Sequence, residues 1–369
     1  MRILQISSAK NFGGGEKHLV DLSKGLVNYG NEIFAALRPK NNWQEKLAFL
    51  PDENLCHPQL RNSFDVFSAR KLANFAVEKN IEIIHAHVAR DYSVAALASK
   101  LSKIPLVLTR HLLFPLNPIH RLTLKQTAKI IAVSKGVGES LLSSKIVAVK
   151  KIALIYNGVD TNNFEQAAKD AEKRAETRRK IAPEARFLIG TIGELRQHKG
   201  QEDFIKAAAI VVEKFQDVRF LVIGADNSQN QNYQTYLENL VDNLNLKNQV
   251  TFTGWQENMP TTFAALDIFV SAARSEPFGL VIAEAMAGAK AIVATETNGA
   301  KELLENNRTG KIVSVKKPLQ LAEAISEFLE DENLRQTYGA SAQKEAIEKF
   351  GLERMTAETE KIYREILEI

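Results

Sequence analysis

Short apolar runs rich in β-branched residues recur along the chain, separated by longer stretches whose apolar positions return every three or four residues. In the first half the runs are RILQIS (2–7), NEIFAAL (31–37), IEIIHAH (81–87), PLVLTRH (105–111), KIIAVS (129–134) and KIALIYN (151–157). Helix-like segments lie between them, to about Tyr29 and at about 67–79, 90–102, 119–127 and 135–143. Apolar strands alternating with amphipathic helices predict parallel βαβ units. Residues 165–180, EQAAKDAEKRAETRRK, are charged and read as an exposed helix or linker. The alternation then restarts, with strands at 186–193, 219–225, 250–255, 267–272, 291–295 and 310–315. Helices are expected near 200–215, 230–244, 259–265, 279–288, 299–306 and 318–330, and a final one at about 352–367.

The pattern predicts an α/β protein of two doubly wound, Rossmann-like domains facing across a cleft. The expected spans are 1–165 and 166–350, with a C-terminal helix in 351–369 that packs back on the first domain. The length of 369 residues suits two such domains.

Composition narrows the function. A single cysteine, Cys56, excludes an intramolecular disulfide framework and cysteine-based metal sites, as expected of a cytoplasmic protein. The first residues lack the pattern of a signal peptide, and no apolar run is long enough to span a membrane. Charge is segregated. Residues 1–160 hold 22 Lys and Arg against 12 Asp and Glu, whereas 161–369 hold 26 against 32. A basic first half suits an anionic nucleotide, membrane surface or nucleic acid, though no nucleic-acid-reading motif is present. The stretch 110–125, RHLLFPLNPIHRLTLK, mixes apolar side chains with Arg110, Arg121 and Lys125, and is expected to touch an anionic membrane peripherally.

Three glycine- or charge-bearing turns carry candidate chemistry. Gly13, Gly14 and Gly15 follow the first strand and open a helix, where free amides suit an anion. GELRQHKG (193–200) follows the first strand of the second half and places Arg196, His198 and Lys199 at a sheet edge, cations that suit a diphosphate. EPFGLVIAE (276–284) sets Glu276 in a loop and Glu284 in the helix that begins near Phe278-Gly279, so amides of Phe278, Gly279 and Leu280 face outward between two carboxylates. Carboxylates repel phosphate and accept strongly from hydroxyls, so this pair should address sugars. His111 ends a strand. His85 and His87 share a strand face without a convincing further ligand, and His18 and His120 read as surface or helix residues. No Asp-x-Asp pair is present to hold a divalent cation, so no metal and no cofactor are expected.

In this order the motifs resemble the retaining family 4 glycosyltransferases of GT-B fold. Gly13-Gly14-Gly15-Glu16 is similar to the family's Gly-Gly-x-Glu loop. His85-Ala86-His87, Thr109-Arg110-His111, Ala132-Val133-Ser134, Asn157-Gly158-Val159-Asp160, Gly193 to Gly200, Asp267–Val270 and the Glu-x7-Glu pair Glu276 and Glu284 match in turn. The resemblance implies a hexose-type transfer from a nucleotide-diphosphate sugar, UDP- or GDP-linked, to a glycan or lipid-linked acceptor in glycan biosynthesis. It implies Glu284 on the ribose, Glu276 on the donor sugar, and Phe278, Gly279 and Leu280 amides near sugar and phosphate. Lys199 would neutralise the diphosphate, Gly14 and Gly15 would approach it, and His111 would lie at the reaction centre. One position departs: the family usually has Arg after the glycine matching Gly193, where this chain has Glu194, and Arg196 is expected to replace it. A sugar-nucleotide epimerase of the same fold, or a non-catalytic sugar-nucleotide-binding protein, are the alternative readings.

Overall fold

The computed structural model describes residues 1–114, 120–143, 145–182, 185–228 and 230–368. The chain divides into two units, Met1–Gly158 with Leu352–Ile369, and Val159–Gly351.

Unit 1 is built on β1 (Arg2–Ser7), β2 (Glu32–Leu37), β3 (Leu55–Cys56), β4 (Ile83–Ala86), β5 (Leu106–Arg110), β6 (Lys129–Ala132) and β7 (Ile152–Leu154). They pair in parallel in the order β3-β2-β1-β4-β5-β6-β7. The intervening helices are α1 (Gly14–Asn28), α2 (Val66–Glu78), α3 (Tyr92–Ser102), α4 (His120–Gln126) and α5 (Lys135–Ser143). Unit 2 opens with α6 (Thr161–Lys169) and α7 (Ala171–Ile181). Then follow β8 (Phe187–Ile192), α8 (Gln201–Lys214), β9 (Val218–Ile223), α9 (Asn232–Asn243), β10 (Val250–Gly254), α10 (Met259–Ala265), β11 (Ile268–Ser271) and α11 (Leu280–Ala287). It closes with β12 (Ala291–Thr295), α12 (Asn298–Leu303), β13 (Lys311–Val313), α13 (Pro318–Glu330) and α14 (Glu332–Phe350). Its parallel order is β10-β9-β8-β11-β12-β13. The last helix, α15 (Leu352–Leu367), belongs to unit 1.

Strands covered by helices on both faces are predominantly apolar, which is why β1, β5, β9 and β12 read as apolar runs with few polar interruptions such as Gln5, Thr109 and Arg219. Ile3, Ile33, Ile83, Val107 and Ile131 join Leu19, Leu22 and Leu26 of α1 and Met355 and Tyr363 of α15 in one buried cluster. In unit 2, Ile189, Phe220, Ile268 and Val293 pack with Phe204 of α8 and Phe328 of α13.

Two expectations are corrected, and one element is added. The division falls at Gly158/Val159, ahead of the expected 165/166, because Phe164 of α6 is buried against Phe263 of α10, with ring centroids 5.7 Å apart. The charged segment 165–180 is helical and exposed as expected, spread over α6 and α7, whereas the helix α14 was not anticipated. Its buried positions, Tyr338, Gly339, Ala342, Ala346 and Phe350, are mostly small, so they raise no apolar signal. A Cβ on Gly339 would stand 2.3 Å from the Ala289 carbonyl oxygen, so the backbones meet there. Arg110, expected among surface cations, is buried and donates to the Phe114 carbonyl. Residues 115–119 of that stretch lie outside the described residues. No helix among the described residues is long and apolar enough to cross a membrane.

Candidate active site

In each sheet the strand order reverses once, between β1 and β4 in unit 1 and between β8 and β11 in unit 2. Loops leaving the carboxyl ends at such a switch diverge and leave room for a ligand. The candidate residues lie on such loops, in the helices after them, or at the ends of β4 and neighbouring β5.

In unit 2 the loop after β8 runs Gly193–Gly200 and the loop after β11 runs Ala272–Gly279. Gly200 sits at φ 72° and a Cβ there would fall 1.9 Å from the Ala272 carbonyl oxygen, so only glycine lets the two loops touch. The Lys199 ammonium donates to the Glu276 carboxylate at 2.6 Å, joining two of the predicted residues, and both are partly buried. Gly279, at φ 91°, caps α11 and turns the chain so that the first amides of the helix have no intrahelical acceptor. Phe278 is buried, Leu280 half-buried, and Glu284 is 2% exposed on α11. Arg196 is exposed and its Nε meets Glu194 Oε2 at 2.9 Å; Asn227 also donates to Glu194. The departure from the family pattern thus sits in an ion pair with the residue expected to compensate for it.

Sequence reasoning missed what holds these loops. The Arg274 guanidinium donates to Asp203 at 3.0 and 3.2 Å and to Glu202 at 3.0 Å, and its backbone amide to the His198 carbonyl at 2.8 Å. These carboxylates hold the Arg274 pKa above its usual value, the Asp203 hydrogen bond first. An arginine two residues before Glu276 was the available signal. Gly299 of α12 donates to the Glu276 carbonyl at 3.0 Å, and a Cβ on it would stand 2.1 Å from the Phe278 oxygen.

In unit 1 the glycine loop closes over a stack of imidazoles. Gly14 is exposed, while a Cβ on Gly15 would touch the His111 ring at 3.8 Å. His111 follows β5; its ring centroid lies 4.8 Å from that of His18 and 6.1 Å from that of His87, and His85 lies 4.2 Å from His87. His18 is buried in α1, not at the surface; its spacing with Leu22 and Leu26 on the apolar stripe was the overlooked signal. Gln5 Oε1 meets His87 Nε2 at 2.7 Å, Thr109 Oγ1 meets His85 Nε2 at 2.7 Å, and Tyr363 of α15 meets His85 Nδ1 at 2.5 Å. Burial disfavours the charged imidazolium and pushes the pKa of His18 down to about 4, with Asn157 pulling weakly the other way. His85, His87 and His111 are held well below the ordinary histidine value, again chiefly by desolvation and then by neighbouring imidazoles, His18 acting on all three. At neutral pH His111 is therefore an uncharged ring, able to accept or donate one hydrogen bond.

Residues 12–163 match the family model described as Glycosyltransferase Family 4, and residues 172–345 that described as Glycosyl transferases group 1. N-acetyl-alpha-D-glucosaminyl L-malate synthase of Bacillus anthracis is 28% identical over 322 residues, covering 82% of this chain and 80% of that one. HepE from Anabaena, solved in complex with UDP and glucose, superposes with a TM-score of 0.85 at 25% identity, covering 98% of each chain. A glycosyltransferase from Rickettsia africae shares the fold with a TM-score of 0.86 at 24% identity, over 99% of this chain and 98% of that one. Two matched models in series, over two doubly wound units with the candidate residues at their sheet switch points, place the chain among the family 4 glycosyltransferases of GT-B fold.

Proposed function

We propose that this chain is a retaining glycosyltransferase that moves a hexose-type sugar from a UDP- or GDP-sugar to a glycan or lipid-linked acceptor, without a metal on the diphosphate. The observation that carries this reading is in unit 2. There Lys199, Glu276 and the amide-bearing start of α11 share two touching loops, with Glu284 buried in that helix. Departure of a nucleoside diphosphate is the difficult step, because its charge must be stabilised as the glycosidic bond breaks. Lys199 and the α11 amides supply fixed positive potential there, with Arg196 beside them. Glu276 accepts hydrogen bonds from donor-sugar hydroxyls and Glu284 from the ribose. Gly14 and Gly15 bring backbone close to the phosphates, and neutral His111 serves the reacting centre. Retention is assigned to same-face displacement, with no protein nucleophile. The Anabaena structure with UDP and glucose supports a uridine donor.

Incubation with UDP- and GDP-hexoses and a panel of acceptors tests this, with the anomeric coupling of the product read by proton NMR. Product with the donor's configuration, formed at an unchanged rate in chelator, is expected. Inverted product overturns retention, and loss of activity restored by Mn²⁺ overturns metal independence. Isomerised donor appearing without acceptor supports the epimerase reading instead. The exposed cations Arg121 and Lys125 support peripheral contact of unit 1 with an anionic bilayer. Co-sedimentation with anionic vesicles that salt abolishes is the expected result, and equal behaviour with neutral vesicles refutes it.

A further inference from the structure

We propose that His18, His87 and His111 form a binding site for a single borderline transition-metal ion, Zn²⁺ being the natural occupant, and that occupancy silences the transferase. Each of the three offers a ring nitrogen, and the three nitrogens lie within 4.8 Å of one another. A tetrahedral Zn²⁺ with nitrogens at about 2.0–2.1 Å needs them roughly 3.3 Å apart, so the rings must draw together by up to about 1.5 Å to close on the ion.

The hydrogen-bond pattern leaves the required lone pairs available. Gln5 Oε1 can accept from His87 Nε2, which fixes that proton and leaves Nδ1 as the bare nitrogen, and His87 Nδ1 has no hydrogen-bond partner. His111 Nε2 and both ring nitrogens of His18 are likewise buried without one. A ligating imidazole held through its far nitrogen by an oxygen acceptor is the arrangement that orients and strengthens metal-binding histidines. His18 and His87 are 3% and 4% exposed, so ring nitrogens there have no water to satisfy them and gain most from an ion. An all-imidazole donor set suits Zn²⁺, Cu²⁺, Ni²⁺ and Co²⁺, and is poor for Mg²⁺ or Ca²⁺. Three ligands leave a fourth position for water or an oxygen anion.

Ion binding stands on these side chains alone. Its inhibitory consequence rests on the reading of His111 as a reaction-centre group, because coordination would occupy the ring nitrogen that the reaction uses.

Titration of the full chain with Co²⁺, followed by its visible absorption, tests the site. One tetrahedral Co²⁺ per chain, displaced by Zn²⁺, is expected. His18→Gln and His87→Gln should each weaken binding at least tenfold. Gln5→Leu should weaken it about 10- to 100-fold, and His57→Gln should leave it unchanged. If a variant fails to fold, imidazole ¹⁵N spectra of the wild type with Zn²⁺ decide. Shifts confined to His18, His87 and His111 support the site, and shifts at His57, His120 or His198 instead overturn it. Absence of a tetrahedral Co²⁺ spectrum, or equal binding by His87→Gln and wild type, also overturns it. Stoichiometric Zn²⁺ with undiminished transfer overturns the inhibition alone. Ion binding in a chain that transfers no sugar even when metal-free upholds the site and refutes the transferase reading.

Discussion

Gly299→Ala probes the donor loops without touching a side chain assigned to the ligand. Position 299 lies in the first turn of α12, where alanine is conformationally at ease and gains up to about 1 kcal/mol over glycine in helix propensity. The obstacle is steric. The new methyl would stand 2.1 Å from the Phe278 carbonyl oxygen and 2.4 Å from its carbon, both backbone atoms, whereas real Cβ contacts stay beyond 3.0 Å. The Glu276–Gly279 turn must therefore move by about 0.9 Å or more, the difference between those distances. Overpacking of this kind costs about 1–3 kcal/mol, so the net loss after the full helix gain is about 0–2 kcal/mol. For a unit of this size that lowers Tm by up to roughly 8 °C. The same displacement stretches an amide-to-phosphate hydrogen bond of about 2.9 Å past useful range. Loss of one or two charged hydrogen bonds, at about 1.5–3 kcal/mol each, predicts at least a tenfold fall in affinity for the nucleotide sugar. Calorimetric titration with UDP and thermal unfolding of the same samples measure both. Gly288→Ala, whose methyl would meet only ordinary contacts of 3.5 Å and beyond, serves as the control. A destabilised Gly299→Ala protein that binds nucleotide as tightly as wild type would refute the reasoning, since the turn would then have moved without consequence for the ligand.

Glu284→Gln should weaken donor binding by about 1–3 kcal/mol with the fold intact, read by calorimetry, because an amide accepts less strongly from ribose hydroxyls. Glu194→Ala should release Arg196 and leave turnover unchanged or faster, whereas Arg196→Ala should slow it; equal rates in both variants would mean that Lys199 and α11 suffice. Asp91 is buried, accepts from the Ser8 amide at 2.7 Å, and has its pKa pushed up to about 6 by desolvation, with hydrogen bonds from Ser8 opposing. Its folded pKa exceeds the unfolded value of about 3.9, so its favourable contribution is complete below pH 4 and is lost as pH rises through 6. The stability of Asp91→Asn relative to wild type should accordingly climb by a few kcal/mol, in order of magnitude, between pH 4 and 7, followed by denaturant unfolding at each pH.

The strands of both sheets were legible because helices cover both faces, which makes most of their positions apolar. Only β3, two residues long, escaped. The donor motifs were legible because their chemistry is local: Glu276, Phe278, Gly279 and Glu284 lie within one turn and one helix. What carried no signal was packing across sequence distance. Tyr363 reaches His85 over 278 positions, and nothing in either segment announces the other. Nothing in the sequence around Arg274 announces Asp203 and Glu202, which α8 supplies. The buried face of α14 hid because alanine and glycine make close backbone approach without hydrophobic bulk.

The return of α15 to unit 1 has a consequence for the order in which a ribosome can finish the molecule. Unit 2 is contiguous, so its whole sheet can assemble while residues 352–368 are still being made. Unit 1 is not. Its glycine loop, its histidine stack and all seven strands emerge early, yet Met355, Ile362 and Tyr363, which close its core, come last. At about 5–20 residues per second, the nascent first unit waits roughly 10–40 s with that apolar surface uncovered. During this interval His85 lacks its phenol partner and the groove that receives α15 is open to chaperones or to the α15 of another nascent chain. Stop codons placed within α15 should consequently harm the solubility of unit 1 while sparing the unit translated between its two pieces.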